Sequence, residues 1–291
     1  MIVPSPFYEA FARIRRCEEE IADRYPQGKM RCPTHLSIGQ EGVAVGVCAG
    51  LKPQDRVFAS HRNHHWYLAK GGSMSAMIAE LYGLPGGCCG GRGGSMHIAD
   101  KEAGIWSFPI VGDCISIAVG SALAAKMSGE DRIAVAAFGD AGPETGQFWE
   151  ALNFASLHKL PVLFVCEDNG YATQTPLSQR QPAVSLAERA EGFLQRLEFP
   201  SDHPAPITKA TQLLRNALPR LFVVPTYRFR THVGPEYDWD WGYRSKVEVE
   251  YRKSQDPLIA LRRELGSGLC AEADARIGLE VGEAFAAAEA A

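Results

Sequence analysis

Long apolar runs are absent from this 291-residue sequence, and none approaches the roughly 20 residues that a membrane-spanning helix requires. The first six residues carry neither the basic segment nor the long apolar core of a secretion signal. We therefore expect no membrane association and, by default, a cytoplasmic location.

The Cys-x-x-Cys spacing is also absent, although the sequence holds eight cysteines. Because these cysteines are scattered through apolar segments, buried free thiols are a better interpretation than a disulfide framework. The adjacent pair Cys88 and Cys89, in a glycine-rich stretch, leaves a redox or metal-binding role open.

Concentrated positive charge is missing as well. The formal net charge is -4, and the basic clusters at residues 13–16 and 262–263 are short. A nucleic-acid-binding surface needs a larger basic patch, so no nucleic-acid partner is expected. The two common nucleotide-binding loops, Gly-x-Gly-x-x-Gly and Gly-x-x-x-x-Gly-Lys-[Ser/Thr], do not occur either.

The sequence does contain the pattern of an α/β domain. Apolar runs at 132–138 and 161–166 predict two buried strands, and the segment between them predicts a helix that ends near residue 158. Such a βαβ unit requires parallel strands. The run 221–224 predicts a further strand of the same sheet. Because no internal repeat or linker is visible, residues 1–291 are expected to form one domain.

Helices are predicted where apolar residues recur with helical spacing or where small residues accumulate. A serine, Ser73 or Ser75, is expected to cap one of them. The predicted helical ranges are 7–25, 39–51, about 76–81, about 185–197, 208–218 and 273–291.

Polar residues follow the first two predicted strands: Asp140 after one and Asn169 after the other. Because parallel strands end at the same edge of a sheet, these residues become neighbours although 29 positions separate them. Carboxylate and amide oxygens suit Mg²⁺, and the glycines at 139, 142 and 146 leave the turn open for a phosphate group. The pattern predicts a Mg²⁺-bridged diphosphate, although Gly-Asp alone is also a common turn and helix cap.

Further motifs occur in order along the chain, at residues 35–41, 60–64, 90–97, 110–112 and 160–169. With the Gly-Asp and Asn spacing, they resemble the alpha subunit of the thiamine-diphosphate-dependent pyruvate, acetoin and branched-chain 2-oxo acid dehydrogenases. The resemblance extends from about residue 7 to residue 265. It implies a doubly wound, mainly parallel α/β sheet with helices on both faces, which is the thiamine-diphosphate-binding fold.

The resemblance also implies roles for individual residues. Asp140, Asn169 and the backbone carbonyl of Tyr171 would bind Mg²⁺, and His64 and His232 would be catalytic residues at the reacting end of the cofactor. The residues implied to contact thiamine diphosphate are His61, Arg62, Ile110, Val111, Gly112, Gly139, Asp140, Ala141, Gly142, Asn169, Tyr171, Arg228 and His232.

The implied reaction is the decarboxylation of a small 2-oxo acid, pyruvate first, with transfer of the acyl unit to a lipoyl group on an acyltransferase or to another acyl carrier. The implied cofactors are thiamine diphosphate and Mg²⁺. Because the family supplies the glutamate that activates thiamine from a separate beta subunit, the resemblance implies a beta partner and an alpha-2-beta-2 assembly.

The sequence departs from the family pattern in several places. Gly-Asp-Ala at 139–141 stands where Gly-Asp-Gly is usual, and Asp168 replaces the first asparagine of an Asn-Asn pair. Residues 231–233 read Thr-His-Val where the family usually has Gly-His-Ser, and Val233 excludes phosphorylation there. The segment 177–218 is shorter than expected. These departures leave the acyl acceptor open.

Two other functions therefore remain alternatives. The first is a divergent enzyme that uses the same cofactor to place an acyl unit on a carrier protein or sugar. The second is a non-catalytic scaffold that keeps only the fold.

Some histidines also have alternative interpretations. His61, His64 and His65 could form a zinc site. His97 could belong to a functional loop, and His158 and His203 are expected at the surface.

Overall fold

A computed structural model describes residues 6–290 of the chain. Its helices are α1 Pro6–Arg24, α2 Glu41–Ala49, α3 His64–Ala69, α4 Met74–Leu81, α5 Asp113–Ser128, α6 Gly146–Leu157, α7 Leu186–Ala190, α8 Pro204–Leu214, α9 Lys246–Ser254, α10 Pro257–Leu265 and α11 Ser267–Glu289. Its strands are β1 Arg56–Ala59, β2 Ala99–Asp100, β3 Ile105–Ser107, β4 Ala134–Gly139, β5 Val162–Asp168, β6 Tyr171–Ala172, β7 Thr175–Pro176, β8 Gln195–Glu198 and β9 Arg220–Pro225.

The described strands form one large sheet with the order β2-β3-β1-β4-β5-β9-β8 and a separate small hairpin of β6 and β7. In the large sheet β2 is antiparallel to β3, and the other pairs are parallel. β4 and β5 pair with Gly139 beside Glu167, so the predicted βαβ unit is confirmed. β9 lies next to β5, which confirms the further strand predicted at 221–224.

Side chains of the central strands alternate between two apolar cores on opposite faces of the sheet. In β4, Val135 and Ala137 belong to the first core, whereas Ala136 and Phe138 belong to the second. The first core also contains residues of α1, α2, α4, α8 and α11, and the second contains residues of α5, α6 and α7. Helices on both faces of a mainly parallel sheet confirm the doubly wound fold class.

The predicted helices around 7–25, 39–51 and 76–81 are confirmed with small shifts of their ends. The third begins after Ser73, whose hydroxyl accepts a hydrogen bond from the backbone N–H of Ala76 at 3.2 Å. Ser73, and not Ser75, is therefore the cap. The helix predicted at 208–218 begins earlier, at Pro204, because proline fits the first turn of a helix, and it ends at Leu214.

The prediction of one helix over 185–197 is wrong. A capping box between Ser185 and Glu188 starts α7, but this helix ends at Ala190. Residues 195–198 then form β8, which pairs in parallel with β9 at the edge of the sheet. Backbone pairing with a neighbouring strand outweighs the local helical preference here.

Three elements of the core carry no clear periodic signal in the sequence. The strands β1 and β3 are four and three residues long, too short for a pattern to emerge. The helix α5 is rich in alanine and other small residues, so its buried and exposed sides differ little in hydrophobicity.

The last helix, α11, begins at Ser267, six residues before the predicted start at 273. Its predicted end at 291 lies outside the described residues. Within residues 6–290, no helix combines the length and the apolar composition needed to cross a membrane.

Candidate cofactor site

The carboxyl ends of four adjacent parallel strands, β1, β4, β5 and β9, bring most of the predicted site residues to one edge of the sheet. His61 and Arg62 follow β1, Asp140 follows β4, and Asn169 follows β5. The chain after β9 returns to the same edge, where Arg62 Nη2 donates a hydrogen bond to the carbonyl oxygen of His232 at 2.9 Å.

The segment 35–41 holds the chain after β9 in place. Phe229 donates a backbone hydrogen bond to the carbonyl of Ile38 at 3.0 Å. Gly39 has a φ of 95°, and a Cβ there would lie 2.2 Å from the carbonyl oxygen of Tyr227. A glycine is therefore required for the two segments to approach so closely.

An oxygen-rich cluster lies at the ends of β4 and β5. Asp140 is buried, and burial raises the pKa of its carboxyl to about 6, with a further contribution from the neighbouring Asp168. Burial also raises the pKa of Asp168. The side chain of Asn169 donates to Gln40 Oε1 at 3.1 Å and accepts from the backbone N–H of Tyr171 at 3.0 Å. These carboxylate and amide oxygens have the chemistry of Mg²⁺ ligands.

An arginine that was not predicted from the sequence, Arg180, contacts this cluster. The guanidinium of Arg180 pairs with Oδ2 of Asp140 and with Oε1 of Glu144. Gln181 Nε2 donates to the backbone carbonyl of Asp140 at 2.6 Å. The sequence did not mark Arg180 and Gln181 as site residues, because they belong to the shortened segment after β7, where the chain departs from the family pattern.

Two buried arginines, Arg62 after β1 and Arg228 after β9, also belong to this edge of the sheet. Burial and the positive charge of Arg228 lower the pKa of Arg62 to about 9. The pKa of Arg228 is also lowered, chiefly by burial. Nη1 of Arg228 is buried without a hydrogen-bond partner, and its nearest carboxylate, Asp238, lies 3.9 Å away and pairs with Arg244. This arrangement fits a bound anion such as a diphosphate.

The structure groups the histidines differently from the zinc site that the sequence left open, which combined His61, His64 and His65. His64 is fully buried, with Nδ1 2.6 Å from Glu18 Oε1 and Nε2 2.9 Å from Ser95 Oγ. Both ring nitrogens are therefore occupied. His65 is equally buried and bonds Glu167 at 2.7 Å, so the structure does not bring His61, His64 and His65 together as one metal site.

His61 instead lies beside two other histidines. Its ring centroid is 4.8 Å from that of His35 and 5.4 Å from that of His232. Burial, with help from Arg62, lowers the pKa of His61 to about 4 and that of His232 to about 3, so both rings are neutral near pH 7.

Residues 110–112 form the turn before α5. Ile110 and Val111 are exposed by 61% and 41% of their surface, although both are apolar. Gly112 has a φ of 100°, and a Cβ there would lie 2.4 Å from Gln147 Oε1 at the start of α6. The turn is thus packed beside the segment that follows Asp140. Within that segment, a Cβ on Gly142 would lie 2.8 Å from the ring of Phe138.

The glycine-rich stretch 83–94 wraps around the buried carboxylate of Glu80. Four backbone N–H groups donate to it at 2.6–3.1 Å, from Cys89, Gly91, Gly93 and Gly94. Burial raises the pKa of the Cys88 thiol to about 12. Although the Glu80 oxygens accept these backbone hydrogen bonds, ligand atoms of Glu80, Cys88 and Cys89 lie within 4.8 Å of one another, so the metal-binding role left open for the cysteine pair stays a prediction.

His97 lies just after this stretch. Its Nδ1 lies 2.9 Å from the carbonyl oxygen of Gly93. His158 is exposed, as expected, whereas His203 is half-buried, with Nε2 3.6 Å from Glu264 Oε1.

These observations define a class: a doubly wound α/β protein with a mixed carboxylate, amide and guanidinium site at the carboxyl edge of its sheet. Comparisons with known proteins identify the family. The family model described as "Dehydrogenase E1 component" matches residues 9–291. The chain therefore belongs to this family, as an alpha-type subunit of the thiamine-diphosphate-dependent 2-oxo acid dehydrogenases.

Similar proteins include the alpha subunit of acetoin:2,6-dichlorophenolindophenol oxidoreductase from Bacillus subtilis, which is 41% identical over 187 residues. That match covers 64% of this chain and 56% of the relative. The pyruvate dehydrogenase E1 component subunit alpha of Rhizobium meliloti is 34% identical over 266 residues, which cover 89% of this chain and 76% of the relative.

Among solved structures, a transketolase from Campylobacter jejuni has a TM-score of 0.62 at 15% sequence identity. The match covers 96% of this chain and 49% of that chain, so this chain spans about half of the transketolase. At this identity the likeness shows the fold alone.

Proposed function

We propose that this chain is the alpha subunit of a thiamine-diphosphate- and Mg²⁺-dependent 2-oxo acid dehydrogenase that decarboxylates a small 2-oxo acid such as pyruvate. The acyl unit would pass to a lipoyl acceptor. The observation that carries the proposal is the pairing of two features at one sheet edge. Arg62 and Arg228 are buried like charges that need an anion, and the oxygens around Asp140 suit a divalent cation.

The Mg²⁺ ligands in this proposal are Asp140, Asn169 and the backbone carbonyl of Tyr171. Hydrogen bonds from Tyr171 and to Gln40 fix the amide of Asn169, which supports an oriented ligand. The ion would neutralise the charge of Asp140 and of a diphosphate at the same time.

The diphosphate would be held by the guanidinium groups of Arg62 and Arg228. His61 and the turn Gly139, Ala141 and Gly142 would complete its surroundings, and residues 110–112 would contact the pyrimidine end of the cofactor. The unpartnered Nη1 of Arg228 supports this assignment, since a buried guanidinium nitrogen otherwise lacks a hydrogen bond.

Thiamine diphosphate supplies the carbon nucleophile and the electron sink for decarboxylation. The protein would position the substrate and manage protons. His232 is neutral near pH 7, so its ring can accept or donate a hydrogen bond at the reacting end. The catalytic role predicted for His64 remains a prediction. Its position between Glu18 and Ser95 supports transfer of a proton within this chain of hydrogen bonds more readily than direct contact with substrate.

The partner would be a beta subunit that supplies the activating glutamate, in an alpha-2-beta-2 assembly. The exposed apolar side chains of Ile110 and Val111 at the site support a covering chain there. The cytoplasmic location also remains a prediction.

Calorimetric titration of thiamine diphosphate, with and without Mg²⁺, into the chain co-expressed with a beta-type subunit tests this function. We expect Mg²⁺-dependent binding that Asp140→Ala abolishes and that the exposed control Arg263→Gln leaves unchanged. Pyruvate decarboxylation should require both chains and should reduce a lipoyl domain. Absence of cofactor binding in a folded complex would overturn the proposal in favour of a scaffold. Cofactor binding without lipoyl reduction would favour another acyl acceptor.

A further inference from the structure

Three histidines from separate segments meet at the edge of the sheet. His35 precedes α2, His61 follows β1, and His232 follows β9. Their ring centroids are 4.8, 5.1 and 5.4 Å apart, with interplanar angles of 71°, 83° and 56°. One nitrogen from each ring lies within 4.8 Å of the other two. The His35 ring meets the other two edge to face, the His61 and His232 rings are tilted to each other, and one nitrogen of each ring thus lies in the same small region.

The nitrogens of this cluster have few partners of their own. His35 is more than nine-tenths buried, and its Nδ1 has no hydrogen-bond partner. Among residues 6–290, no hydrogen bond reaches a ring nitrogen of His61, and His232 Nδ1 has only a long contact of 3.4 Å with Arg62. A buried ring nitrogen without a partner is uncommon and points to a missing ligand.

The surroundings keep the rings available as ligands. Burial lowers the pKa of His35 to about 2, so its ring, like those of His61 and His232, is neutral near pH 7. Arg62 lowers the pKa of all three rings, and Arg228 lowers that of His61 and His232, so these positive charges oppose a bound cation and an anion beside it would offset them.

We propose that His35, His61 and His232 form a binding site for a zinc-type transition metal, with the fourth position open to water or an anion. Three imidazoles with one open position are a common zinc ligand set. This site differs in chemistry from the oxygen cluster at Asp140, because Mg²⁺ prefers oxygen ligands whereas zinc, nickel and cobalt bind imidazole well.

Zinc with bonds of about 2.0–2.1 Å to nitrogen places tetrahedral ligand atoms about 3.3 Å apart. Metal binding therefore requires the three nitrogens, which now lie within 4.8 Å of one another, to move closer together. The metal would then lie among residues that the proposed function assigns to the cofactor. On that assignment, a bound zinc ion and thiamine diphosphate exclude each other, so zinc inhibits loading of the enzyme.

The first test is calorimetric titration of zinc chloride into the untagged full chain after treatment with a chelator. We expect one site per chain, at least tenfold weaker in His35→Ala and in the size-conserving variant His35→Gln. The exposed control His158→Ala should bind as the wild type does. Circular dichroism verifies that each variant is folded. Equal zinc affinity in wild type and a folded His35→Gln would overturn the site.

Cobalt separates this site from the cysteines of the glycine-rich loop. A site of three imidazoles gives the visible absorption of tetrahedral cobalt without the near-ultraviolet charge-transfer band of a thiolate ligand. A thiolate band that persists in His35→Gln would show that the metal binds cysteine thiolates instead and would overturn the proposal. A large excess of Mg²⁺ should leave the cobalt spectrum unchanged.

Competition is measured separately, by repeating the zinc titration with saturating thiamine diphosphate and Mg²⁺. A weaker apparent zinc affinity is expected. If zinc binds through His35 but the cofactor does not affect it, the metal site stands and the overlap with the cofactor is wrong. If the cofactor binds normally and zinc does not bind, the metal site fails while the proposed function stands.

Discussion

The guanidinium of Arg180 lies against one carboxylate oxygen of Asp140, at the position where the sheet edge concentrates negative charge. It also pairs with Glu144, while Asp168 adds a second buried carboxyl nearby. Asp140 uses only Oδ2 in this ion pair, so its second oxygen remains available for a metal. Arg180 thus balances the oxygen cluster as long as no divalent cation does so.

Replacement of Arg180 tests this balance. Arg180→Ala leaves Asp140 and Glu144 without their cation, and removing one partner of a buried ion pair destabilises a protein by about 3 kcal/mol. Because a divalent ion would restore the missing charge, Mg²⁺ with thiamine diphosphate should raise the melting temperature of the variant more than that of the wild type. Thermal denaturation with and without both ligands measures the difference. A smaller rise in the variant would instead show that Arg180 orients Asp140 for the metal.

The two buried arginines give a second prediction. Arg228→Gln removes one of the like charges, so the pKa of Arg62 should rise from about 9. The variant should lose affinity for thiamine diphosphate on the order of tenfold or more, since a charge-assisted hydrogen bond contributes about 1.5–3 kcal/mol. Without cofactor, its stability should be close to that of the wild type, because the lost charge repulsion offsets the lost contacts of Arg228 with Thr173 and Tyr243.

Calorimetry for affinity and urea denaturation for stability separate these two effects, with Arg263→Gln as the exposed control. Unchanged affinity in Arg228→Gln would remove this residue from the proposed diphosphate site. A large loss of stability without the cofactor would show that Arg228 serves mainly to hold the loop after β9.

Asp140 and Asn169 could be placed from the sequence because each follows a buried apolar run, and parallel strands end at one edge. Arg180 and His35 could not, because both lie in irregular segments whose position depends on contacts distant in the sequence. Next to His35, for example, the carbonyl oxygen of Thr34 accepts a hydrogen bond from the backbone N–H of Gly234 at 2.8 Å, a contact between residues 200 positions apart. The strand β8 was missed for a related reason, since its pairing with β9 prevails over a locally helical sequence.

The wrapping of the glycine-rich stretch around Glu80 gives a third prediction. In Glu80→Gln one carboxylate oxygen becomes an NH₂ group, so two of the four backbone N–H donors face another donor. The stability should fall by about 2–4 kcal/mol, and trypsin should cut more rapidly at Arg92, which is exposed in this loop. Urea denaturation and timed proteolysis measure the two effects against Glu102→Gln, an exposed control. Unchanged cleavage at Arg92 would mean that the loop does not depend on this carboxylate.

The last prediction concerns pH and the buried Asp202. Burial, followed by the negative charge of Glu41, raises the pKa of its carboxyl to about 8, and Asp256 acts in the same direction while Arg15 opposes it. In the unfolded chain this carboxyl titrates near its ordinary pKa of about 3.9. Between these values the folded chain retains a proton that the unfolded chain has lost. The contribution of Asp202 to stability therefore falls as the pH rises through this window and is constant above about pH 8.

Asp202→Asn keeps the shape of the side chain but removes the titration. Its stability relative to the wild type should increase steadily from about pH 5 to about pH 8 and then level off. Urea denaturation across this range measures the difference, and Asp23→Asn on the exposed side of α1 serves as the matched control. The hydrogen bond from Thr226 Oγ1 to Asp202 Oδ2, at 3.4 Å, can be kept by the carbonyl oxygen of asparagine. A constant difference between variant and wild type over the whole range would mean that Asp202 is already ionised in the folded chain, with Arg15 as the group that compensates its charge.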